Sequence, residues 1–216
     1  MTWEQYATAW SALHGGFDPR SASPLVRGWI RLAYRGGGLL AAMRIGPTAV
    51  TVVGLLLCAA VPFVPPLAGA LLVLLASAAD ALDGAVAVVA GRTTRLGFVY
   101  DSLADRLGEL AWLAAFWVAG APGWTVVAAL VVSWLHEYLR ARATAGGMTD
   151  VGVITVGERP TRVSLAVTGL LVLGAANLIK PEWTAAASTV AVSLWITLGA
   201  VGLAQLLAAV RRALID

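Results

Sequence analysis

Cysteine, lysine and histidine are scarce in this chain, and so is charge of either sign. Cys58 is the only cysteine, which excludes an intrachain disulfide framework and a cysteine-based zinc cluster. Charged residues make up 12% of the 216 residues, against roughly 25% in an ordinary soluble domain. That shortage is large enough to exclude a water-soluble surface. The first 20 residues, Met1 to Arg20, are mixed and polar. They lack the early apolar core of a secretory signal peptide, so none is expected. Internal repeats and low-complexity linkers are also missing, and a single domain is expected. Lysine occurs once, as Lys180, beside fourteen arginines. With the excess of Ala, Val, Gly and Leu, this points to a GC-rich genome and carries no chemistry.

What fills the chain is apolar: 59% of the residues are hydrophobic and the mean hydropathy is +0.82. Stretches of about 20 apolar residues, the length that crosses a bilayer, recur along most of it. Six spans are predicted, roughly Thr48–Val64, Leu67–Ala90, Leu96–Ala119, Trp124–Thr144, Thr161–Leu178 and Thr184–Val210. Pro62, Pro65 and Pro66, then Gly120, Pro122 and Gly123, then Asn177 and Pro181 mark the breaks, where continued helix is costly. The connections after the first, third and fifth spans hold only Lys180 among basic residues. The arginines fall on the other side. Positive-inside bias therefore predicts a multi-pass protein of the cell membrane with both termini in the cytoplasm.

Residues 21–44 precede the first span. Leu25, Trp29 and Ile30 alternate there with Arg27, Arg31 and Arg35 on a helical repeat, which suits a helix lying along an anionic leaflet. A solvated basic tail is the alternative. Trp124 and Trp183, near span ends, suit the interfacial aromatic belt. The expected fold is thus an all-α membrane protein: six transmembrane helices over 45–212, an interfacial amphipathic helix over 21–44, and a segment 1–20 of unknown role.

Against this background four aspartates stand out: Asp80, Asp83, Asp101 and Asp105. A carboxylate at membrane depth costs at least ~2.5 kcal/mol on the lenient insertion scale. The spacings are i, i+3 and i, i+4, so each pair occupies one helix face. Two helices presenting such pairs to each other make an oxygen-ligand site for a divalent cation, with Mg²⁺ the usual choice where phosphates complete the coordination. An ion-coupled transporter and a structural network with Arg92, Arg95 and Arg106 remain open on spacing alone. The short basic loop Gly91–Arg95 and the small residues Gly84, Ala85, Ala87 and Gly97 around the aspartates favour the metal site.

The run Asp80-Ala-Leu-Asp83-Gly84-Ala-Val-Ala87-Val88, with Gly97-Phe-Val-Tyr-Asp101-Ser-Leu-Ala-Asp105 after it, resembles the CDP-alcohol phosphotransferase signature D-x2-D-G-x2-A-R-x8-G-x3-D-x3-D. Every fixed position agrees except the arginine, which is Val88 here. Pro47-Thr48-Ala-Val-Thr51 looks like the family's P-N-x-x-T element with Thr48 in place of Asn. Glu137-Tyr-Leu-Arg140-Ala-Arg142-Ala and Gly157-Glu158-Arg159-Pro160-Thr-Arg162 are similar to segments of the actinobacterial phosphatidylinositol-phosphate synthases.

The resemblance implies six transmembrane helices, a homodimer, and an active site open to the cytoplasm. It implies that Asp80, Asp83, Asp101 and Asp105 hold one or two divalent ions, Mg²⁺ or Mn²⁺, against the diphosphate of CDP-diacylglycerol. Asp105 would be the base on the acceptor hydroxyl. Gly84, Ala87 and Gly97 would lie on the CDP-lipid side with Thr48 and Thr51, whose other reading is helix capping. Arg92, one turn beyond Val88 if the helix continues, is expected to replace the missing charge. Reduced activity, a different donor, or an arginine needed only for packing against the aspartates are the other readings. Arg140, Arg142, Arg159 and Arg162 are expected to bind a phosphate on the acceptor, topology being their alternative role. Inositol phosphate or glycerol 3-phosphate is then favoured over a neutral alcohol. His136 reads as a polar residue at a helix end, and no nucleic-acid partner is expected. A lipid- or nucleotide-binding protein without turnover is the reading of another class.

Overall fold

The computed structural model describes residues 1–148 and 154–215. Among them there are eight α-helices and no strand: α1 (Trp3–Leu13), α2 (Pro24–Ala42), α3 (Pro47–Ala60), α4 (Pro66–Val89), α5 (Arg95–Val118), α6 (Gly123–Ala145), α7 (Arg159–Ile179) and α8 (Thr184–Leu214). Helices α3 to α8 coincide with the six predicted segments to within a few residues. The proline and glycine signals set the breaks: short 3-10 turns occupy Val61–Phe63 and Pro181–Trp183, and Gly120 adopts φ +105°. By length and apolar composition α4, α7 and Pro181–Leu214 can each cross a membrane. A fourth span is available if α2 and the segment Pro47–Phe63, bent by 114°, count as one. The chain is a helical membrane protein.

It divides into two compact units, residues 1–56 with 75–105, and residues 57–74 with 106–216. The first unit holds an element that the sequence reading left without a role. Helix α1 opens with a reciprocal cap: the Gln5 N–H donates to Thr2 Oγ1 (3.3 Å) and the Thr2 N–H donates to Gln5 Oε1 (2.9 Å). That Thr-x-x-Gln pattern was available in the sequence as a helix start. The rings of Trp3, Tyr6 and Tyr34 then cluster at centroid distances of 5.0–6.0 Å. The Tyr34 hydroxyl donates to the Met1 carbonyl at 2.7 Å, and Arg31 lies 5.0 Å over the Trp3 ring. Tyr6 is only 1% exposed.

Helix α2 buries Ile30, Ala33 and Gly37, one stripe at helical spacing. Gly37 is there for close approach: a Cβ on it would meet the Ala85 Cβ of α4 at 2.8 Å. Leu25, Trp29 and Leu32 stay exposed. The helix ends with Arg44 in the left-handed region (φ 62°), in the position after the helix where glycine is usual. The Arg44 N–H donates to Ala41 O and the Ile45 N–H to Leu40 O, both at 3.0 Å, which closes the end before Pro47 starts α3.

In the second unit, α6, α7 and α8 pack through small residues and a few internal hydrogen bonds. Trp195 Nε1 donates to Ser133 Oγ (2.8 Å), and Ser188 Oγ donates to the Phe116 carbonyl (2.6 Å). Gly202 lies against the backbone of Gly157, leaving no room for a Cβ.

Candidate metal centre

Helix α4 carries Asp80 and Asp83, and α5 carries Asp101 and Asp105. Asp80, Asp101 and Asp105 each bring a carboxylate oxygen within 4.8 Å of the other two. Three anionic oxygens so close repel one another, and a divalent cation removes that repulsion. The donors are all hard oxygens, which suits Mg²⁺ or Mn²⁺ rather than a thiolate-seeking metal. The residues present therefore fit the expected ion.

Asp83 differs from the other three. It is 6% exposed, and its Oδ2 accepts from the Thr51 hydroxyl of α3 at 2.5 Å. Sequence reasoning had offered Thr51 a nucleotide contact or a helix cap. The structure gives it a third task, holding the buried carboxylate. Thr48 is exposed in the first turn of α3. Gly84 is exposed too, and a Cβ there would meet nothing within 4 Å, so the backbone beside Asp83 is open to a ligand. Gly97 has a local explanation: its N–H donates to Thr94 Oγ1 (2.9 Å), the cap of α5, and a Cβ would crowd that hydroxyl at 3.0 Å.

The expected substitution of Arg92 for the arginine missing at Val88 loses its geometric basis. Helix α4 stops at Val89, and Gly91 turns left-handed (φ 63°). The Arg92 N–H folds back to the Ala87 carbonyl (2.8 Å) and the Gly91 N–H to Val88 O (3.2 Å), the paired bonds of a glycine-terminated helix. Arg92 is thus exposed beyond the helix, near Gly46, while Val88 is 5% exposed among Tyr6, Ile30, Ala33 and Ala85. The two side chains do not share a face.

The four arginines expected around the acceptor lie in the second unit and divide sharply. Arg162 of α7 is 3% exposed; its Nε lies 2.8 Å from Glu109 Oε1 of α5, and its Nη2 donates to Glu137 Oε1 of α6 at 2.6 Å. Arg106 lies 3.4 Å from Glu109 and 3.3 Å from Glu137. Glu109 is fully buried. Removing one partner from such a network leaves a buried charge at a cost of about 3–5 kcal/mol. Arg140 pairs with Glu158, which also accepts from the Thr155 N–H (3.1 Å) and hydroxyl (3.0 Å). His136, buried rather than solvated, completes this chain with Nε2 2.8 Å from Thr155 Oγ1. Arg142 is exposed in the last turn of α6, and Arg159 is half-buried in the first turn of α7. Sequence reasoning missed Glu109 altogether. Its signal was the four-residue spacing that continues Asp101 and Asp105.

A family model for CDP-alcohol phosphatidyltransferases matches residues 43–206, a stretch that contains all four aspartates and all four arginines. The chain belongs to this family. Among its relatives, the archaetidylinositol phosphate synthase of Aeropyrum pernix is 35% identical over 137 residues, 62% of this chain and 68% of that protein. The phosphatidylinositol phosphate synthase of Mycobacterium tuberculosis is 31% identical over 192 residues, 82% of this chain and 78% of that one. A crystal structure of the M. tuberculosis synthase with CDP-DAG bound superposes with a TM-score of 0.70 at 26% identity, covering 86% of this chain and 98% of that one. A second, in complex with manganese and citrate, gives 0.69 at 27% identity, covering 85% and 92%. Family membership removes the transporter as a reading of the aspartates.

Proposed function

We propose that this phosphatidyltransferase moves the phosphatidyl group of CDP-diacylglycerol to a phosphorylated polyol, with inositol phosphate as the acceptor, and releases CMP. The observation that carries the reading is the Asp80, Asp101 and Asp105 carboxylate cluster on two facing motif segments. A divalent ion bound there supplies charge neutralisation to the diphosphate. Asp105 takes the proton of the acceptor hydroxyl, whose oxygen forms the new bond to the lipid-side phosphorus as the bond to the CMP oxygen breaks. Thr51 keeps Asp83 oriented, and open Gly84 admits the nucleotide beside it. Thr48, Ala87, Gly97 and Arg92 border the CDP-lipid. Arg140, Arg142, Arg159 and Arg162 are the candidates for the acceptor phosphate; Arg142 is exposed in the last turn of α6, whereas Arg140 and Arg162 already face carboxylates. The relatives' names, archaetidylinositol phosphate synthase and phosphatidylinositol phosphate synthase, support an inositol-containing acceptor over glycerol 3-phosphate.

The test is CMP release by purified protein with CDP-diacylglycerol, Mg²⁺ or Mn²⁺ and a panel of acceptors. Turnover is expected with inositol phosphate first. Turnover only with glycerol 3-phosphate would change the acceptor, and none with any alcohol would favour a binding protein. Light scattering on the same preparation should read two copies of the chain, as the family resemblance implies.

This reading takes α3 to α8 as six spans in the cell membrane, α2 as the interfacial helix, and both termini and the active site as cytoplasmic. The arginine distribution supports that orientation, and the exposed Leu25, Trp29 and Leu32 of α2 support its contact with lipid. An Arg92→Cys protein should react with an impermeant thiol reagent only from the cytoplasmic side. Labelling only from outside would reverse the topology and remove the site from the cytoplasm.

A further inference from the structure

Residues 155–158 lead into α7 and lie wholly within the second unit. Thr155 is 4% exposed, and its hydroxyl donates to Glu158 Oε1 (3.0 Å) while accepting from the Gly157 N–H (3.3 Å). His136 Nε2 of α6 lies 2.8 Å from the same oxygen. The one hydroxyl hydrogen goes to the carboxylate, so the imidazole is the donor there. Glu158 Oε1 also accepts from the Thr155 N–H (3.1 Å) and from Arg140 Nη2. The chain between them is pinned to α8. The Val156 N–H donates to Gln205 Oε1 (3.0 Å), and Gly157 rests on the backbone of Gly202. Glu158 occupies the cap position of α7, yet its side chain caps nothing, and Pro160 has no N–H. The first turn of α7, which begins with Arg159, is thus fastened from α6 and α8 through the loop. We infer that Thr155, held by His136 and backed by Gly202 and Gln205, is a positioning residue for Arg159: it sets the place from which that arginine reaches the acceptor phosphate. The inference rests on the proposed function in taking Arg159 as an acceptor ligand.

The physical reason is that a guanidinium binds phosphate through N–H groups in one rigid plane, so its strength depends on where its backbone stands. A binding constellation tolerates displacements of about 0.5 Å. From Arg162 onward α7 is tied by its own ion pairs to Glu109 and Glu137. Ahead of that residue, the loop contacts keep the first turn from fraying. A loop that only had to join α6 to α7 would have no need of a buried imidazole. Buried polar groups are costly unless paired, and a fully paired set selects one conformation. The Thr155 hydroxyl is such a case, since its one hydrogen and both lone pairs are used. Removing it strips a partner from His136, Glu158 and the Gly157 N–H together, and the loop then has to move to find replacements.

The experiment reads the KM for inositol phosphate beside kcat, the KM for CDP-diacylglycerol and Mn²⁺ binding, all on the purified protein. Thr155→Val keeps the shape and removes the hydroxyl. It should raise the KM for inositol phosphate by about tenfold, since a misplacement of about 1 Å costs up to ~10²-fold. The other three quantities should stay near those of the wild type. Thr155→Ser returns the hydroxyl and should recover most of the loss. Gly202→Ala offers no polar group to a ligand, yet its Cβ would come 2.5 Å from the Gly157 Cα, and it should raise the same KM. Gln205→Leu removes one bond at an exposed side chain and should act in the same direction by less, which keeps the test if the other variants do not fold. An unchanged acceptor KM in folded Thr155→Val or Gln205→Leu would overturn the inference. So would a Thr155→Val protein that loses kcat, both KM values and Mn²⁺ binding together, or one that Thr155→Ser does not relieve. Arg159→Gln separates the two readings. A raised acceptor KM there, beside a normal one in Thr155→Val, strikes the positioning role alone. An unchanged one removes Arg159 from the acceptor site and this inference with it. No CMP release by the wild type with any phosphorylated acceptor would sink both.

Discussion

Asp105→Asn should reduce CMP release by ~10² or more at saturating Mn²⁺, because it removes a proton acceptor while keeping the size of the side chain. Asp105 is half-buried on α5 and contributes an oxygen to the three-carboxylate cluster. The substitution also removes one anionic ligand, so metal concentration must be raised until the rate no longer responds. What remains is then the loss of the base. Asp101→Asn provides the contrast. It weakens the ion's hold but leaves the base in place, and high Mn²⁺ should recover part of its activity. Near-normal CMP release by Asp105→Asn under saturating metal would take Asp105 out of the role. Equal recovery of both variants by metal would make the two aspartates ligands of one kind.

Val88→Arg should destabilise the first unit rather than improve the enzyme. The signature of the family carries an arginine at this position, and sequence alone makes its return attractive. The structure shows why it fails here: Val88 is buried against Tyr6 of α1, Ile30 and Ala33 of α2, and Ala85 of its own helix. An unpaired guanidinium in that cluster costs about 3–5 kcal/mol, and its added bulk about 1–3 kcal/mol more. The cheapest relief is to release α1. Limited proteolysis should then cut within residues 1–20, and the thermal transition of the detergent-solubilised protein should fall by many degrees. Val88→Ala, which only opens a small cavity, should cost far less. A Val88→Arg protein that melts like the wild type and resists proteolysis would show that the Tyr6 cluster does not enclose this position.

Much of the fold was legible because its signals are local. Each of α3 to α8 follows from an apolar run ended by Pro or Gly, and hydropathy needs no partner to be read. The capping pattern of α1 was local as well. Residues 1–20 were left unassigned because a short helix with mixed polarity gives no span signal, although Thr2 and Gln5 marked its start. The error at Arg92 has the opposite origin. Helical spacing was extended through Gly91, whose left-handed conformation ends α4.

The sequence by itself determined the membrane class, the order of the helices, and the pairing of aspartates on two helix faces, since each depends only on periodicity along the chain. Tertiary structure decided which carboxylates group together. It put Asp80 with Asp101 and Asp105, and gave Asp83 to Thr51, 32 residues away. It also turned Arg140 and Arg162 toward Glu158, Glu109 and Glu137, although sequence spacing made all four arginines look equivalent. The physical reason is that a buried charge takes the nearest opposite charge that packing provides, and that neighbour is chosen by how helices meet, not by distance along the chain.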